Sequence, residues 1–351
     1  MSLEELDTDL AAGVDHQVAM VMDLNKCIGC QTCTVGCKTT WTEREGTEYM
    51  YWNNVETRPG EGYPKDWEEK GGGWESPERS SVKNGELPGK EEYGEAWEFN
   101  YEEALSDPQN ETLEPKGVDP EWGPNWDEDQ GSGKHPNSQY FYLPRICNHC
   151  THPTCVEACP RQAIYKRAED GIVLVDQERC RGYRYCVEGC PYKKVYYNAA
   201  KKSSEKCIFC YPRLEGEGPD GEVSGPICAE ECPTQLRLVG FLDDQDGPIY
   251  KLVEQYEVAI PLHPEYETAP NVFYIPPFDA PPQIDENGET TDIDRIPSSY
   301  LEELFGERVH EARETLRRER EKVNRGGSSE VMDILTSKNP AQQYRLEVFD
   351  A

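Results

Sequence analysis

The chain has no apolar run approaching 18 residues, and its N-terminus lacks a basic stretch followed by an apolar one. The first absence argues against direct insertion in a membrane, and the second gives the expectation that the chain carries no export signal of its own. Apolar material is scarce: 36% of 351 residues are hydrophobic, and the mean hydropathy is -0.83. The length suffices for one sizeable core or two small domains with insertions, so something besides apolar burial must help hold the fold. Positive charge is short as well. With 36 Lys and Arg against 68 Asp and Glu, the net charge is -32. That balance argues against nucleic acid or an anionic lipid surface as a direct partner, since both would be repelled. Because the acidity is spread along the chain, it suits a protein that stays soluble in concentrated salt, where self-repulsion is screened. The expectation is a halophilic source, with an acidic mesophilic protein as the alternative.

What the chain does have is cysteine, 15 in all, in four groups. Cys27, Cys30, Cys33 and Cys37 read C-x2-C-x2-C-x3-C, with Lys38 where a bacterial ferredoxin run has proline. Cys147, Cys150, Cys155 and Cys159 form the second group, ahead of Pro160. The third is CRGYRYCVEGCP, from Cys180 to Pro191, in which Cys180, Cys186 and Cys190 take the first, third and fourth places of C-x2-C-x2-C-x3-C-P. Tyr183 takes the second. Cys207 and Cys210 open the fourth group, which closes with Cys228 and Cys232 after residues 211–227.

Runs of this kind hold iron–sulfur clusters, with the fourth Cys of each run serving the neighbouring cluster. A phenol suits a soft iron–sulfide edge poorly, so Tyr183 marks a missing ligand and predicts a [3Fe-4S] cluster. The alternative is a four-iron cluster with Tyr183 or a water on its last iron. The count closes on the first reading: three [4Fe-4S] clusters need twelve thiolates, one [3Fe-4S] cluster needs three, and together they use all 15. Disulfides would leave one Cys unpaired, and a structural zinc scaffold, the more serious competitor, does not divide 15 into fours.

Ligand exchange between runs assigns the sets conditionally. If the first and fourth groups pair, one cluster takes Cys27, Cys30, Cys33 and Cys232, and its neighbour Cys37, Cys207, Cys210 and Cys228. If the second and third pair, a third cluster takes Cys147, Cys150, Cys155 and Cys190, and Cys159, Cys180 and Cys186 hold the three-iron cluster. Arg181, Arg184, Lys193, Lys194 and Lys206 lie beside these ligands and would raise nearby potentials if they point at the clusters; otherwise they are solvated. His149 and His152 fall inside the second group, where the thiolates already complete the site. The chain itself is expected to perform no bond chemistry, so it has no catalytic residue.

The fold class expected is α+β: two ferredoxin-like units of two clusters each, a long irregular insertion and a C-terminal helical extension. Residues 1–15 read as an acidic tail and 16–41 as the first motif, entered by the strand HQVAMVMD. Residues 42–139 form an insertion rich in Trp, Tyr, Gly, Pro and carboxylates, read as ordered and irregular, for partner contact, against the alternative of a solvated loop. Residues 140–245 carry motifs two to four, with a hairpin at Asp170-Gly171, a strand and turn in KKVYYNAAKKSSEKC and a closing strand in LRLVGFLDD. Residues 246–351 hold a Pro-rich segment and one charged helix from about Ser299 to Asn324, ended by Gly326-Gly327, again for partner contact.

The four motifs in this order, with an aromatic at Tyr183, together with YMYWNNVETRPGEGYP, EWGPNW, CPYKKVYYN, SEKCIFCYPR, IPLHPEY and RIPSSYL, resemble the beta subunits of respiratory nitrate reductases. The resemblance extends to the iron–sulfur subunits of selenate, chlorate, perchlorate, dimethyl sulfide and ethylbenzene enzymes, and covers nearly the whole chain. It implies an electron relay between a haem b gamma subunit and a catalytic alpha subunit carrying molybdopterin, the molybdopterin and haem residing only in those partners. It also implies the ligand sets above, with the Cys27 cluster towards the catalytic subunit and the Cys159 cluster towards the haem subunit. Tyr183 departs from the Trp familiar in nitrate reductases, and the insertion and C-terminal region are shorter, which leaves the partner's substrate open. The complex is expected at the membrane as a peripheral assembly. Either face is compatible with the sequence, and the outer face, reached by co-export with the catalytic subunit, is favoured by the resemblance.

Overall fold

In a computed structural model, the structure describes residues 13–64, 67–69, 131–216, 223–337, 344 and 346. Most of the tail, insertion residues 65–66 and 70–130 and the last stretch of the chain lie outside these. β1 (Val18–Asp23) is buried along its whole length, so it needs cover on both faces and a partner on each edge. β8 (Arg237–Phe241), the closing strand expected after the fourth motif, supplies one edge antiparallel, with Met20 opposite Val239. β10 (Val272–Ile275) supplies the other in parallel, with Met20 opposite Val272, and β9 (Ile260–Pro261) completes the order β8-β1-β10-β9.

The alternation of strand side chains sorts two layers. Met20, Met22, Val239, Val272 and Tyr274 face the cysteine-bearing core. Ala19, Val21, Leu238, Phe273 and Ile275 face a second core built with Ile249, Leu252, Leu316 and Val331. The Pro-rich segment expected to serve partner contact thus completes the central sheet first. The alternating Asn-Val-Phe-Tyr-Ile run was hidden among prolines, and its burial depends on β1, more than 240 residues earlier.

Four two-stranded ribbons surround the cysteine loops. β2 (Asn54–Arg58) pairs antiparallel with β3 (Phe141–Arg145), closing the base of the insertion. β4 (Ile164–Lys166) and β5 (Val173–Val175) form the hairpin expected at Asp170-Gly171, with Gly171 at φ +68. β6 (Val195–Asn198) and β7 (Ser203–Lys206) form the next, and β11 (Pro282–Ile284) pairs with β12 (Thr290–Asp294) at the surface. The described start of the insertion is core rather than an outward surface: Met50, Trp52, Val55, Tyr63 and Trp67 are all buried.

Each cysteine loop feeds a helix: α1 (Thr32–Trp41), α2 (Thr154–Glu157), α3 (Tyr185–Glu188), α4 (Tyr211–Leu214) and α5 (Ile227–Glu230). α1 packs on α5 and α2 on α3, so the first motif meets the fourth and the second meets the third. Glycine permits both contacts. A Cβ at Gly189 would lie 3.0 Å from that of Ala158, and one at Gly36 would lie 3.3 Å from Glu231 Cγ.

The single charged helix expected near Ser299–Asn324 is two helices, α6 (Ser298–Phe305) and α7 (Val309–Asn324). The break is at Gly306, whose φ of +74 and close approach to Pro264 no helical residue accommodates. α7 ends at the expected glycines: Gly326 has φ +87, its N–H donates to Val323 O, and Gly327 N–H donates to Lys322 O. α8 (Glu330–Thr336) follows, capped by Ser329. Among the described residues no helix is long and apolar enough to cross a membrane.

Candidate metal centres

The loops turn inwards because residues in them adopt left-handed backbone: Gln31, His149, Arg184, Phe209 and Cys210 all have positive φ. Such turns aim backbone N–H groups into a concavity suited to anionic sulfur. Among the described residues several do so directly. The N–H groups of Ala163, Ser204, Phe209 and Lys194 donate to Sγ of Cys159, Cys180, Cys207 and Cys190 at 3.3–3.5 Å. Trp41 Nε1 adds a donor to Cys210 Sγ at 3.1 Å. At Gly29, φ +67, a Cβ would strike the Tyr142 ring at 2.6 Å, so the first loop lies flat against β3.

All 15 cysteines are free of disulfides, and 11 of them are buried. Burial pushes the Cys27 thiol up to about 12, with Cys33 and Cys232 adding to the rise. Cys30 stands exposed in the same loop, its Sγ 3.4 Å from Thr32 Oγ1. The Cys37 thiol is raised well above its ordinary value by burial and then by Cys207, Cys228 and Cys210. Cys155 is raised likewise, by burial and by Cys190, Cys147 and Cys150. Burial lifts Cys186 to about 12, Ser204 opposes through a hydrogen bond, and Cys159 and Cys180 contribute further. Cys207 also lies near Cys147, so the second of these neighbourhoods adjoins the third.

These side chains fit iron–sulfur clusters. A thiol so deeply buried keeps its proton unless a metal displaces it, so assembly releases protons. Arg237 is fully buried, and among the described residues it has no carboxylate partner; thiols surround it instead. Such a cation demands anionic sulfur nearby. Among the described residues no group of three or more His, Cys, Asp or Glu side chains converges on one ion.

The five cations expected beside ligands divide. Arg181 and Arg184 are exposed, the first bonded to Glu178 O and Cys180 O and the second lying over the Tyr197 ring. Lys193, Lys194 and Lys206 are buried. Lys193 Nζ donates to Glu188 O, and Lys206 Nζ to Val173 O and Cys207 O. Burial holds Lys194 down to about 7, where it bonds Asn54 Oδ1 and Tyr51 O. His149 is a neutral core residue: burial keeps its pKa well below the ordinary value, and Nδ1 accepts from Val173 N–H at 3.1 Å. Tyr183 is 55% exposed, beside exposed Tyr185.

Sequence reasoning missed Arg237, Asn53, Trp41 and the role of Lys38. Lys38 Nζ donates to the carbonyls of Thr47, Glu48 and Met50 at 2.7–3.0 Å, stitching the first motif to the insertion. Arg237 left one signal, a lone charge in the otherwise apolar Leu-Arg-Leu-Val-Gly-Phe strand.

Residues 138–242 match the model of a 4Fe-4S dicluster domain. Across 97% of its length, and 97% of the relative's, the chain is 74% identical to the respiratory nitrate reductase subunit beta of Haloferax mediterranei. It is 57% identical to the dimethylsulfide dehydrogenase subunit beta of Rhodovulum sulfidophilum over 95% of this chain and 99% of that one. It is 54% identical to the selenate reductase subunit beta of Thauera selenatis over 94% and 98%. With four cysteine loops folded against one another and relatives aligned end to end, the chain belongs to the family of iron–sulfur beta subunits found in respiratory nitrate reductase and its selenate and dimethylsulfide relatives.

Proposed function

We propose that this chain is the electron-transfer subunit of a nitrate-reducing complex, passing electrons between a haem b gamma subunit and a molybdopterin-bearing catalytic alpha subunit. The observation that carries the proposal is the gathering of thiols from distant motifs: Cys37 with Cys207, Cys210 and Cys228, and Cys155 with Cys190, Cys147 and Cys150. On this reading Cys27, Cys30, Cys33 and Cys232 hold one [4Fe-4S] cluster, Cys37, Cys207, Cys210 and Cys228 a second, and Cys147, Cys150, Cys155 and Cys190 a third. Cys159, Cys180 and Cys186 hold a [3Fe-4S] cluster at the place Tyr183 leaves without a thiolate. The contacts of α1 with α5 and of α2 with α3 support two ferredoxin-like units.

When bound, the clusters supply one-electron transfer. The chain's own residues orient the thiolates, exclude water from most of them, and direct N–H groups at sulfur, which favours the reduced, more negative state. The outer face of the membrane, reached by export of the folded complex, is part of the proposal and rests on resemblance.

The haloarchaeal relative and the charge of -32 agree with a halophilic setting. A second reading, the same relay serving a different oxidoreductase, is favoured by the 57% identity over almost full length to a dimethylsulfide enzyme's subunit. Purification with the native partners in concentrated salt, followed by metal analysis and reduced-viologen assays, separates these. About 15 irons per chain and turnover of nitrate support the proposal. Turnover of selenate or chlorate without nitrate moves the relay to the second reading, and zinc in place of iron overturns both.

A further inference from the structure

Arg237 begins β8 with none of its surface exposed. Its Nη1 donates to Cys228 Sγ at 3.2 Å and lies 3.7 Å from Met20 Sδ, and its Nη2 donates to Asn53 Oδ1 at 2.7 Å. Nε has no partner among the described residues. Burial opposes the charge on this guanidinium, yet Cys228, Cys33, Cys232 and Cys27 outweigh that and hold it firmly protonated. Three of those thiols belong to the first proposed ligand set and one to the second. An arginine stays charged at any working pH, so it is a fixed cation between the two sites.

We propose that Arg237 is a shared tuning residue that raises the reduction potentials of both the Cys27-set and Cys37-set clusters. The inference rests on the cluster reading above. Each reduction adds one negative charge to a site, and a buried cation at hydrogen-bond distance from a ligand sulfur stabilises that added charge. Buried this deeply, its charge is screened far less than one at the surface. Among the described residues the cations flanking the Cys159 set, Arg181 and Arg184, are exposed. The thiols that face Arg237 come from the Cys27 and Cys37 sets, so its effect is expected on those two clusters. Asn53, itself buried, holds the guanidinium in place and donates through Nδ2 to Thr34 Oγ1 on α1.

The test is an EPR-monitored redox titration of the purified complex in concentrated salt. Arg237→Gln is expected to lower the potentials of the Cys27-set and Cys37-set clusters and leave the other two unmoved, and Arg237→Lys to restore most of the shift. Asn53→Asp, close in shape, keeps the charged arginine but sets a carboxylate against it that offsets its field, and is expected to lower the same two potentials; it decides the matter if Arg237→Gln fails to assemble. Unmoved potentials in an iron-replete variant, or an equal shift of all four clusters, overturn the proposal while leaving the relay intact. Wild-type protein holding zinc instead of iron overturns the relay and this inference together.

Discussion

Arg145 Nη1 donates to Glu56 Oε1 in an ion pair that solvent does not reach, the side chains being 2% and 0% exposed. The pair joins β3 to β2, and β3 runs directly into Cys147. Arg145 also donates to Tyr192 O beyond the third motif and stacks over Trp67 with 3.4 Å to the ring centroid. The base of the insertion is thereby fastened to two cysteine loops at once. Glu56 in turn accepts from Tyr63 N–H, Trp67 Nε1 and Asn54 Nδ2.

Replacing Glu56 by Gln strands Arg145 as a buried unpaired charge, which costs about 3–5 kcal/mol. The expected outcome is a lower denaturant midpoint and incomplete cluster content, followed through the visible absorbance of the complex. An unfolding free energy within about 0.5 kcal/mol of wild type would show that breaking the pair costs nothing.

Asp294 clasps α7 to the surface ribbon through Arg313 and Arg317. Burial alone would raise its pKa, but hydrogen bonds from Arg317 and Arg313 outweigh it and hold the carboxyl below its ordinary 3.8. A carboxyl depressed in the folded state contributes stability that is full above about pH 4 and lost as pH falls through the folded value. Asp294→Asn is expected to increase hydrogen exchange in α7 at neutral pH, with a loss of about 1–2 kcal/mol, and to flatten the acid dependence there. Protection that instead declines as pH rises from 4 to 7 contradicts the assignment.

Gly306→Ala places a Cβ 2.8 Å from Pro264 Cγ at a φ of +74. The strain is expected to cost about 1 kcal/mol or more and to loosen the turn around His263, whose N–H donates to Leu304 O. Limited proteolysis between α6 and α7 reads this out; a variant as resistant as wild type shows that the break tolerates a side chain.

Tyr183→Cys supplies the absent thiolate on the proposed three-iron site. Conversion to a four-iron cluster of lower potential is expected, with disappearance of the oxidised three-iron EPR signal. A signal that persists unchanged counts against the missing-ligand assignment.

The cysteine runs, the Asp170-Gly171 hairpin, the strand and turn within Lys193–Cys207 and the Gly326-Gly327 helix stop were legible because each depends on residues within a few positions. Ligand spacing, turn glycines and a capping pair are local chemistry. The break at Gly306 was not, since a glycine in a charged helical pattern signals nothing until Pro264 is known to press on it. Lys38 shows the same limit: its place after Cys37 was visible, but its three carbonyl partners lie on a later loop.

The amino-acid order alone determined that this chain carries 15 cysteines in four groups, that Tyr183 stands where a regular run has cysteine, and that apolar residues are few. Spacing and composition show those points without long-range contacts. Only the folded chain decided that the Pro-rich segment completes the central sheet, that the insertion's aromatics near its base are core, and that Arg237 lies buried among thiols from both ends of the cysteine region. Each of these depends on segments far apart in sequence meeting at one place, where burial strengthens the interactions between charges and no local pattern records which partner will arrive.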